Sequence, residues 1–309
     1  MDTKRPKVLV LLCTYNGEKF LKQQLESIYC QIDVEVKVLV NDDGSTDQTL
    51  DILEFWKKQG LILETFHSNR IGSTEAFLSL LKTSSAMEFD FFAFSDQDDI
   101  WHENKLFKQI TEMSKSGALM VTSPRNLINS EGQLIGITKP FHKDLTWKNA
   151  LVENSAPGNT QLISKVGIMY LIDAPHGIRN YDAWTYLVLS TFGNVSLVTT
   201  PLLNYRLHEN NQLGTLQKRK CFEKLSTLCF FVEQAEQFLS FYSKNLAEDV
   251  TRSIETLTGR YPFRFRNGVT PNKIVFRQKF LDSTLISFYL LFPPKLKKWI
   301  YLRFSSERK

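Results

Sequence analysis

The segment FDFFAFSDQDDIW, residues 89–101, decides the fold of this chain. Its first half is a continuous apolar run, which is typical of a strand buried on both faces of a sheet. Its second half places Asp96, Asp98 and Asp99 together at the end of that strand. Crowded carboxylates repel one another unless a cation or solvent relieves the repulsion, and a hard divalent cation shared with substrate phosphates fits this pattern. A solvated acidic turn, with Asp99 capping a helix that begins near Trp101, is the alternative.

Three earlier stretches have the same strand-like character, and they are KVLVLLC (7–13), VEVKVLVND (34–42) and LILETFH (61–67). Stretches with helical spacing of apolar side chains alternate with them, at residues 18–30, 46–56 and 76–82. Such alternation with short connections predicts an α/β fold with a mostly parallel sheet and helices on both of its faces.

Polar clusters follow three of the predicted strands, namely CTYNG (13–17), NDDGSTD (41–47) and SDQDD (95–99). Ligands of parallel sheets bind at the carboxyl ends of the strands, so we expect these clusters to converge at one edge. Asp42 or Asp43 could accept hydrogen bonds from a base N–H or from ribose hydroxyls, and Gly44 allows a tight turn. An Asx-type turn, with Ser45 or Thr46 capping the next helix, is the other interpretation.

Several classes of protein are disfavoured by missing patterns. The first strand is not followed by GxGxxG, and the chain has no GxxxxGK[ST] loop, so a dinucleotide site is disfavoured and a P-loop is excluded. The four cysteines form no CxxC pair, which argues against a zinc knuckle or a disulfide framework. The apolar run at residues 8–13 is too short for a secretory signal, and no window holds the ~20 apolar residues that a membrane-spanning helix needs.

The second half of the chain changes character. We predict a hairpin around Glu131 and Gly132, a helix over residues 182–191, and a strand passing into a loop over 195–208. From residue 221 to residue 246, apolar side chains recur at alternating spacings of four and three. This spacing predicts one long amphipathic helix of about seven turns.

The motifs CTYNG, NDDGSTD and SDQDDIW, in this order at strand ends, resemble family 2 of the glycosyltransferases. The stretch YDAWTYLVLSTFGNVSLVTTPLLNYRLHENNQLG (181–214) is similar to the downstream region of the bacterial rhamnosyltransferase-like branch, where an Asp precedes an N-Y-R-x-H-x-x-N motif. The resemblance implies a GT-A catalytic domain over residues 1–215 and a helical C-terminal extension over residues 216–309.

The resemblance also implies roles for individual residues. The nucleotide-sugar site would contain Thr14, Tyr15, Asn16, Asp42, Asp43, Asp96 and Arg206. Within it Asp96 would bind ribose or phosphate-side groups. Asp98 and His208 would hold Mg²⁺ or Mn²⁺ against the diphosphate, and Asp182 would be the catalytic base.

Two departures from the branch concern the acceptor pocket. Residues 181–184 read YDAW where HDWW is usual, and STEAF follows Gly72 where a Lys-Asn pair is usual. From spacing alone, Asp182 could equally be the N-cap of the helix that follows it. His208 could likewise be a plain loop histidine.

These features together imply an inverting, metal-dependent glycosyltransferase of bacterial surface polysaccharide synthesis. The donor would be a nucleoside diphosphate sugar, with dTDP-rhamnose expected first, and the acceptor a lipid-linked saccharide or an oligosaccharide. A UDP-hexose or UDP-galactose transferase on the same scaffold is one alternative. A catalytically silent sugar-nucleotide-binding partner is another, and the joint presence of the acidic cluster and Asp182 argues against it.

The basic charge of the chain is concentrated in its tail. Residues 271–309 contain nine Lys or Arg and two acidic residues, although the net charge of the whole chain is only +5. Past a double proline, the cations Lys295, Lys297, Lys298 and Arg303 interleave with Trp299, Tyr301 and Phe304. This pattern predicts an anchor for an anionic membrane surface, and hence a cytoplasmic protein peripheral on the inner face of the cell membrane.

Two other interpretations of the tail were weighed against this one. An amphipathic helix folded against the catalytic domain would show the same pattern. Nucleic acid is not an expected partner, because the first 270 residues are slightly acidic.

Overall fold

The computed structural model describes residues 5–138, 141, 144–209, 221–260, 275, 286, 289–293, 295–297 and 299–300. The chain divides into two compact units. The first contains Met1–Pro140, Ala156–Ala174 and Asn180–Thr215, and the second contains Phe141–Ser155, Pro175–Arg179 and Leu216–Lys309. Two short segments that precede residue 215 therefore belong to the second unit, and the predicted domain division at 215 stays a prediction.

Two sheets form the first unit. Their strands are β1 (Lys7–Thr14), β2 (Glu35–Asp42), β3 (Ile62–His67), β4 (Phe91–Ser95), β5 (Ile100–Trp101), β6 (Met120–Thr122), β7 (Asn126–Ile128), β8 (Leu134–Ile137), β9 (Leu162–Ser164), β10 (Val195–Leu197) and β11 (Leu203–Arg206). The larger sheet has the order β10-β6-β9-β4-β1-β2-β3, and the smaller has the order β5-β11-β7-β8. In the larger sheet β9 is antiparallel to β4 and β6, and the other pairs are parallel. The predicted α/β fold with a mostly parallel sheet is confirmed.

The helices follow the predicted spacing in several places. They are α1 (Leu21–Tyr29), α2 (Thr49–Lys58), α3 (Ser73–Ser84), α4 (Lys105–Ser116), α5 (Trp147–Ala150), α6 (Lys165–Ile168), α7 (Tyr181–Phe192), α8 (Cys221–Tyr242) and α9 (Glu248–Thr258). The four helices predicted in the first unit correspond to α1, α2, α3 and α7. Within the described residues, no helix has both the length and the apolar character needed to cross a bilayer.

Some predicted boundaries are wrong, and the structure gives the reasons. Residues 100–101 form β5, and α4 begins only at Lys105, so Asp99 caps no helix. The predicted strand over 195–208 is two strands in different sheets, separated around Pro201, whose missing N–H cannot join a ladder. The long helix α8 ends at Tyr242, short of the predicted end at 246.

Strand β1 lies at the centre of the larger sheet, and Val8 to Leu12 are completely buried. It pairs with β2 over eight residues and with β4 over five, both in parallel. Burial on both faces explains its continuous apolar sequence. Since the three strands run in the same direction, the polar segments that follow them emerge at one edge of the sheet.

The second unit has its own apolar core. On α8 the predicted apolar positions Leu228, Val232, Ala235 and Leu239 are buried, as helical periodicity requires. On the following helix α9, Ile254 and Leu257 are buried as well. From the tail, Ile286, Tyr289 and Leu290 are buried in the same way.

One predicted membrane-contacting cation lies inside this unit. Lys297 is completely buried, and its Nζ donates to the carbonyl oxygen of Thr256 at 2.8 Å. Burial lowers the pKa of its ammonium group to about 8. The inclusion of Lys297 among the lipid-facing cations was therefore wrong. Lys298, Tyr301, Arg303 and Phe304 lie outside the described residues.

Helix α4 carries a buried lysine that the apolar pattern did not predict. Lys105 Nζ donates to Gln109 Oε1 at 2.8 Å and lies 4.0 Å from the centre of the Trp101 ring. Burial lowers the pKa of Lys105 to about 7, against a partial opposing effect of the nearby Asp99 carboxylate. The folded protein therefore favours the neutral form of the Lys105 amine.

This burial predicts a pH dependence of stability. Between about pH 7 and pH 10 the unfolded chain binds a proton at Lys105 that the folded chain has lost, so the free energy of unfolding should rise with pH in this window. We expect Lys105→Met to lose that rise, as measured by denaturant titration at several pH values. Lys108→Met changes an exposed lysine of the same helix and is the control. Parallel pH profiles for wild type and Lys105→Met would show that Lys105 titrates normally.

Candidate active site

The segments that follow β1, β2 and β4 are bonded directly to one another. Thr14 Oγ1 donates to Asp42 Oδ2 at 2.7 Å and joins the first two segments. The Gln97 amide joins the third, because its Oε1 accepts from the Tyr15 N–H at 2.8 Å and its Nε2 donates to the Tyr15 carbonyl at 3.0 Å. The predicted convergence of the three polar clusters is confirmed.

Thr14, Asn16 and Asp42 make their hydrogen bonds within this edge of the sheet. The buried Asp42 accepts from the Ser45 N–H at 2.9 Å, which is the Asx-type turn expected as one alternative. Asn16 Oδ1 accepts from the Thr46 N–H at 2.8 Å. Neither Ser45 nor Thr46 caps α2, since the first N–H of that helix donates to Asp47 Oδ1 at 3.0 Å. These three residues shape the loops, and their contact with a nucleotide stays a prediction.

Asp43 holds the loop that precedes α3. Its carboxylate accepts from Ser68 Oγ at 2.7 Å and from the N–H groups of Ile71 and Gly72 at 2.8 and 2.9 Å. Burial raises the pKa of Asp43, but these hydrogen bonds outweigh it and lower the pKa below its ordinary value. Gly72 has a φ of 84°, which a residue with a side chain rarely adopts.

Both Asn16 and Tyr15 of the first cluster are exposed, and Tyr15 is 39% exposed. Its Oη accepts from Arg70 Nη2 at 2.6 Å, and the Arg70 guanidinium carbon lies 5.3 Å from the centre of its ring. The sequence patterns did not identify Arg70. Tyr15, Asp43 and Arg70 together form the open side of this edge.

The three acidic residues after β4 face different partners. Asp98 Oδ2 lies 2.8 Å from His208 Nε2. Asp99 is buried, where it accepts from the Asn159 side-chain amide and, at 3.3 Å, from the Arg206 N–H. Burial raises the pKa of Asp99 well above its ordinary value, and the charges of Asp98 and Asp96 raise it further. The mutual repulsion of the carboxylates, which the sequence implied, is therefore present in the structure.

Asp96 is buried and feels the charges of other carboxylates of the site. Burial raises its pKa to about 7, with further contributions from the charges of Asp98 and Asp182, while Arg125 opposes the rise. These effects link the acidic cluster to a residue that is 86 positions later in the chain. The structure thus brings Asp96, Asp98, Asp182 and His208 into one site.

The Asp98–His208 pair fits a divalent cation. Adjacent ligands of an octahedral ion at 2.0–2.1 Å are about 3 Å apart, close to the observed 2.8 Å between Oδ2 and Nε2. No group of three or more His, Cys, Asp or Glu side chains poised for a metal occurs in the described part of the chain. The remaining ligands would be substrate phosphates and water, as Mg²⁺ commonly prefers.

Asp182 is the second residue of α7 and does not cap it. The cap is Asn180, whose side chain accepts from the Ala183 N–H at 3.1 Å. Asp182 Oδ2 instead accepts from the Gly158 N–H at 2.9 Å, and only 7% of the residue is exposed. The alternative interpretation of Asp182 as an N-cap is therefore wrong.

The approach of Gly158 to α7 depends on its missing side chain. A Cβ at position 158 would overlap the Tyr181 phenol. Tyr181 itself stacks on Phe77 with 4.1 Å between ring centres and meets Phe94 edge-on at 4.9 Å. The tyrosine that stands where the family usually has a histidine is thus a buried packing residue beside Asp182.

The two arginines of the site differ in how they are held. Arg206 is 2% exposed, and it donates to the Asp98 carbonyl at 3.0 Å, the Ser130 carbonyl at 2.9 Å and Gln23 Oε1 at 2.7 Å. Its guanidinium carbon also lies 4.5 Å from the centre of the Phe20 ring. Arg206 therefore holds the loop that follows β7 by a hydrogen bond to the Ser130 carbonyl. Its predicted contact with a diphosphate stays a prediction. Arg125, which no sequence motif marked, is only half-buried.

Comparisons with known proteins identify the family of this chain. The model of the family "Glycosyl transferase family 2" matches residues 9–174. The dTDP-rhamnosyl transferase RfbG of Shigella flexneri is 32% identical over 215 residues, which cover 66% of this chain and 73% of that protein. The UDP-Glc:alpha-D-GlcNAc-diphosphoundecaprenol beta-1,3-glucosyltransferase WfgD of Escherichia coli is 26% identical over 207 residues, covering 66% of this chain and 78% of that protein.

Solved structures show the same fold at low sequence identity. S. aureus TarS residues 1–349 in complex with UDP-GlcNAc superposes with a TM-score of 0.60 and 16% identity, covering 96% of this chain and 89% of that one. The mannosyltransferase PcManGT from Pyrobaculum calidifontis, in complex with GDP-Man and Mn²⁺, gives a TM-score of 0.52 at 16% identity, covering 98% and 86%. The fold is therefore GT-A. With the family model matching more than half of its length, this chain belongs to glycosyltransferase family 2 and is a glycosyltransferase.

Proposed function

We propose that this chain is an inverting, metal-dependent glycosyltransferase that uses a nucleoside diphosphate sugar in bacterial surface polysaccharide synthesis. The observation that carries the proposal is that the charges of both Asp98, which is paired with His208, and Asp182 act on Asp96 in one site. The Asp182 carboxylate suits proton removal, and the Asp98–His208 pair suits a divalent cation. A silent binding protein would have no need of both.

In this proposal Asp98 and His208 hold Mg²⁺ or Mn²⁺ through Oδ2 and Nε2. When bound, the metal would neutralise the negative charge that develops on the leaving diphosphate. The name of the PcManGT complex includes Mn²⁺ and GDP-Man, which supports the presence of a divalent metal with the donor here. Arg206 acts as a positioning residue, because its donors fix the Asp98 carbonyl and the loop at Ser130.

Asp182 removes the proton from the acceptor hydroxyl as the hydroxyl oxygen attacks the anomeric carbon. The Gly158 N–H fixes one carboxylate oxygen, and burial within α7 keeps the side chain from rotating freely. A single displacement assisted by one base inverts the anomeric configuration. Asp182 is therefore assigned as the catalytic base.

The donor is proposed to be dTDP-rhamnose, supported by the 32% identity with a dTDP-rhamnosyl transferase. Tyr15, Asp43 and Arg70 offer an aromatic face, a carboxylate and a guanidinium to the nucleoside. A UDP-hexose donor is the second candidate, because WfgD and the TarS complex are named with UDP-sugars. The name of WfgD includes a diphosphoundecaprenol-linked saccharide, which supports a lipid-linked acceptor.

We also propose that the second unit makes peripheral contact with the cytoplasmic leaflet. Leu291, Leu296 and Trp299 are exposed, with 59% exposure for Trp299, and Lys295 lies beside them at the surface. Exposed apolar side chains together with an exposed lysine suit an anionic bilayer surface. Buried Lys297 takes no part in this contact.

Substitution of the base tests the proposed chemistry. Asp182→Asn keeps an oxygen that can accept from the Gly158 N–H but cannot take a proton, so turnover should fall by a factor of ~10²–10⁴. Donor binding, measured by calorimetry, should remain. Asp51→Asn, which changes an exposed aspartate of α2, should keep full turnover. Loss of nucleotide affinity with retained turnover would place Asp182 in the donor site instead.

The membrane proposal calls for point substitutions in the tail. Deletion of residues 284–309 would also remove Ile286, Tyr289 and Leu290 from the core of the second unit. We therefore expect the double variant Leu296→Ser/Trp299→Ser to lose co-sedimentation with phosphatidylglycerol vesicles, and salt to release the wild type. Phe107→Ser removes an exposed aromatic residue of the first unit and should change nothing. If the wild type fails to sediment with vesicles at low salt, the contact does not exist.

A further inference from the structure

Arg125 lies between β6 and β7, at the site and outside every assigned role. Its backbone is fixed, because its N–H donates to Thr138 Oγ1 at 2.9 Å and its carbonyl accepts from the Thr138 N–H at 2.8 Å. Its guanidinium carbon lies 4.4 Å from the centre of the Tyr205 ring. Stacking on an aromatic face holds an arginine in place while leaving its N–H groups at the edge of the plane.

Arg125 is linked to the acidic cluster through Asn159. Its Nη1 donates to Asn159 Oδ1 in a long hydrogen bond of 3.4 Å, and the Asn159 side-chain amide donates to the Asp99 carboxylate. Among the described residues, the Arg125 guanidinium forms no ion pair. A guanidinium has five N–H donors, so most of its capacity is not used by the described residues.

The comparison with Arg206 makes the difference clear. Arg206 is almost completely buried and donates to carbonyl groups and to Gln23 inside the protein. Arg125 is half-buried and is held by stacking, so most of its N–H groups can donate to another partner. A guanidinium that is held by stacking, with no ion pair and one long hydrogen bond among the described residues, is suited to an anionic group of the substrate.

We propose that Arg125 is a substrate-binding residue that contacts a phosphate oxygen of a substrate. The planar guanidinium matches phosphate geometry through paired N–H donors, which a lysine cannot reproduce. The phosphate can belong to the diphosphate of the donor or to the diphosphate linkage of the acceptor. This proposal rests on the proposed function for the identity of these two ligands.

Arg125 and Asp182 are connected by the turn at residues 158–160. Asn159, which Arg125 contacts, also donates to Asp99, and its neighbour Gly158 donates to Asp182. The turn at residues 158–160 therefore contacts Arg125 through Asn159 and the proposed base, Asp182, through Gly158. A phosphate bound by Arg125 would fix its substrate relative to Asp182.

The test compares the affinities of matched ligands for wild type, Arg125→Met and Arg125→Lys by calorimetry, in the presence of Mg²⁺. The donor arm uses dTDP and UDP against thymidine and uridine. The acceptor arm uses a short-chain polyprenyl diphosphate N-acetylglucosamine against the methyl glycoside of the same sugar. In the arm whose phosphate Arg125 contacts, Arg125→Met should weaken the phosphate-bearing ligand by about 10- to 100-fold and leave its phosphate-free partner unchanged. Arg125→Lys should recover only part of the loss.

Controls separate this contact from a structural role. Arg252→Met removes an exposed arginine of α9 and should leave all affinities unchanged. Equal affinities for wild type and Arg125→Met in both arms would overturn the proposal, as would equal weakening of ligands with and without phosphate. If Arg125→Met melts at a lower temperature, the comparison is made with Arg125→Lys, which retains the charge. Binding does not require turnover, so a wild type that transfers no sugar would refute the proposed function without deciding the role of Arg125.

Discussion

The parallel pairing of β1 with both β2 and β4 is the constraint on which the rest of the site depends. This pairing brings the ends of the three strands to one edge of the sheet, where hydrogen bonds from Thr14 and Gln97 join the segments that follow. The loops are thereby fixed before any ligand binds. Many of the polar residues at this edge are occupied in that task, and Tyr15, Asp43 and Arg70 are the ones that we propose to face the nucleoside.

This arrangement concentrates negative charge in the site. Asp96, Asp98, Asp99 and Asp182 share one region, and burial raises the pKa of Asp96 to about 7. The protein offsets part of this charge with Arg125 and with hydrogen bonds from Asn159 and from the backbone of Arg206. A divalent cation at Asp98 and His208, as proposed, would offset more.

The sequence allowed good prediction where the physical signal is local. Strands β1 to β4 are apolar runs ended by turn residues, and α7 has the expected helical spacing, so each was found close to its observed position. Helix α4 was expected only in one alternative, as a helix beginning near Trp101. Its bounds were not predicted, because Lys105 and Gln109 occupy buried positions of its inward face, where apolar residues are normally expected. Helix α9 lies within the predicted helical extension, but its bounds were not predicted either, since Ser253 and Thr256 are among its buried residues.

Site residues were predictable only where a family motif marked them. Spacing alone could not decide whether Asp182 caps α7, because its carboxylate accepts from the Gly158 N–H of a distant turn, and the cap is Asn180 instead. Arg125 and Arg70 carry no local pattern, since their positions depend on contacts with Tyr205 and Tyr15 from other strands. The burial of Lys297 was equally hidden, because a basic residue after a double proline suggests exposure.

The central claim is that Asp98 and His208 hold a divalent cation that links the protein to a nucleoside diphosphate. The most direct measurement is the affinity of dTDP and UDP for wild type and for Asp98→Asn, with Mn²⁺ and with excess EDTA. The account predicts that Mn²⁺ strengthens nucleotide binding to the wild type and has little effect on Asp98→Asn, while both proteins melt at similar temperatures. Equal nucleotide affinities for the wild type with Mn²⁺ and with EDTA would contradict it.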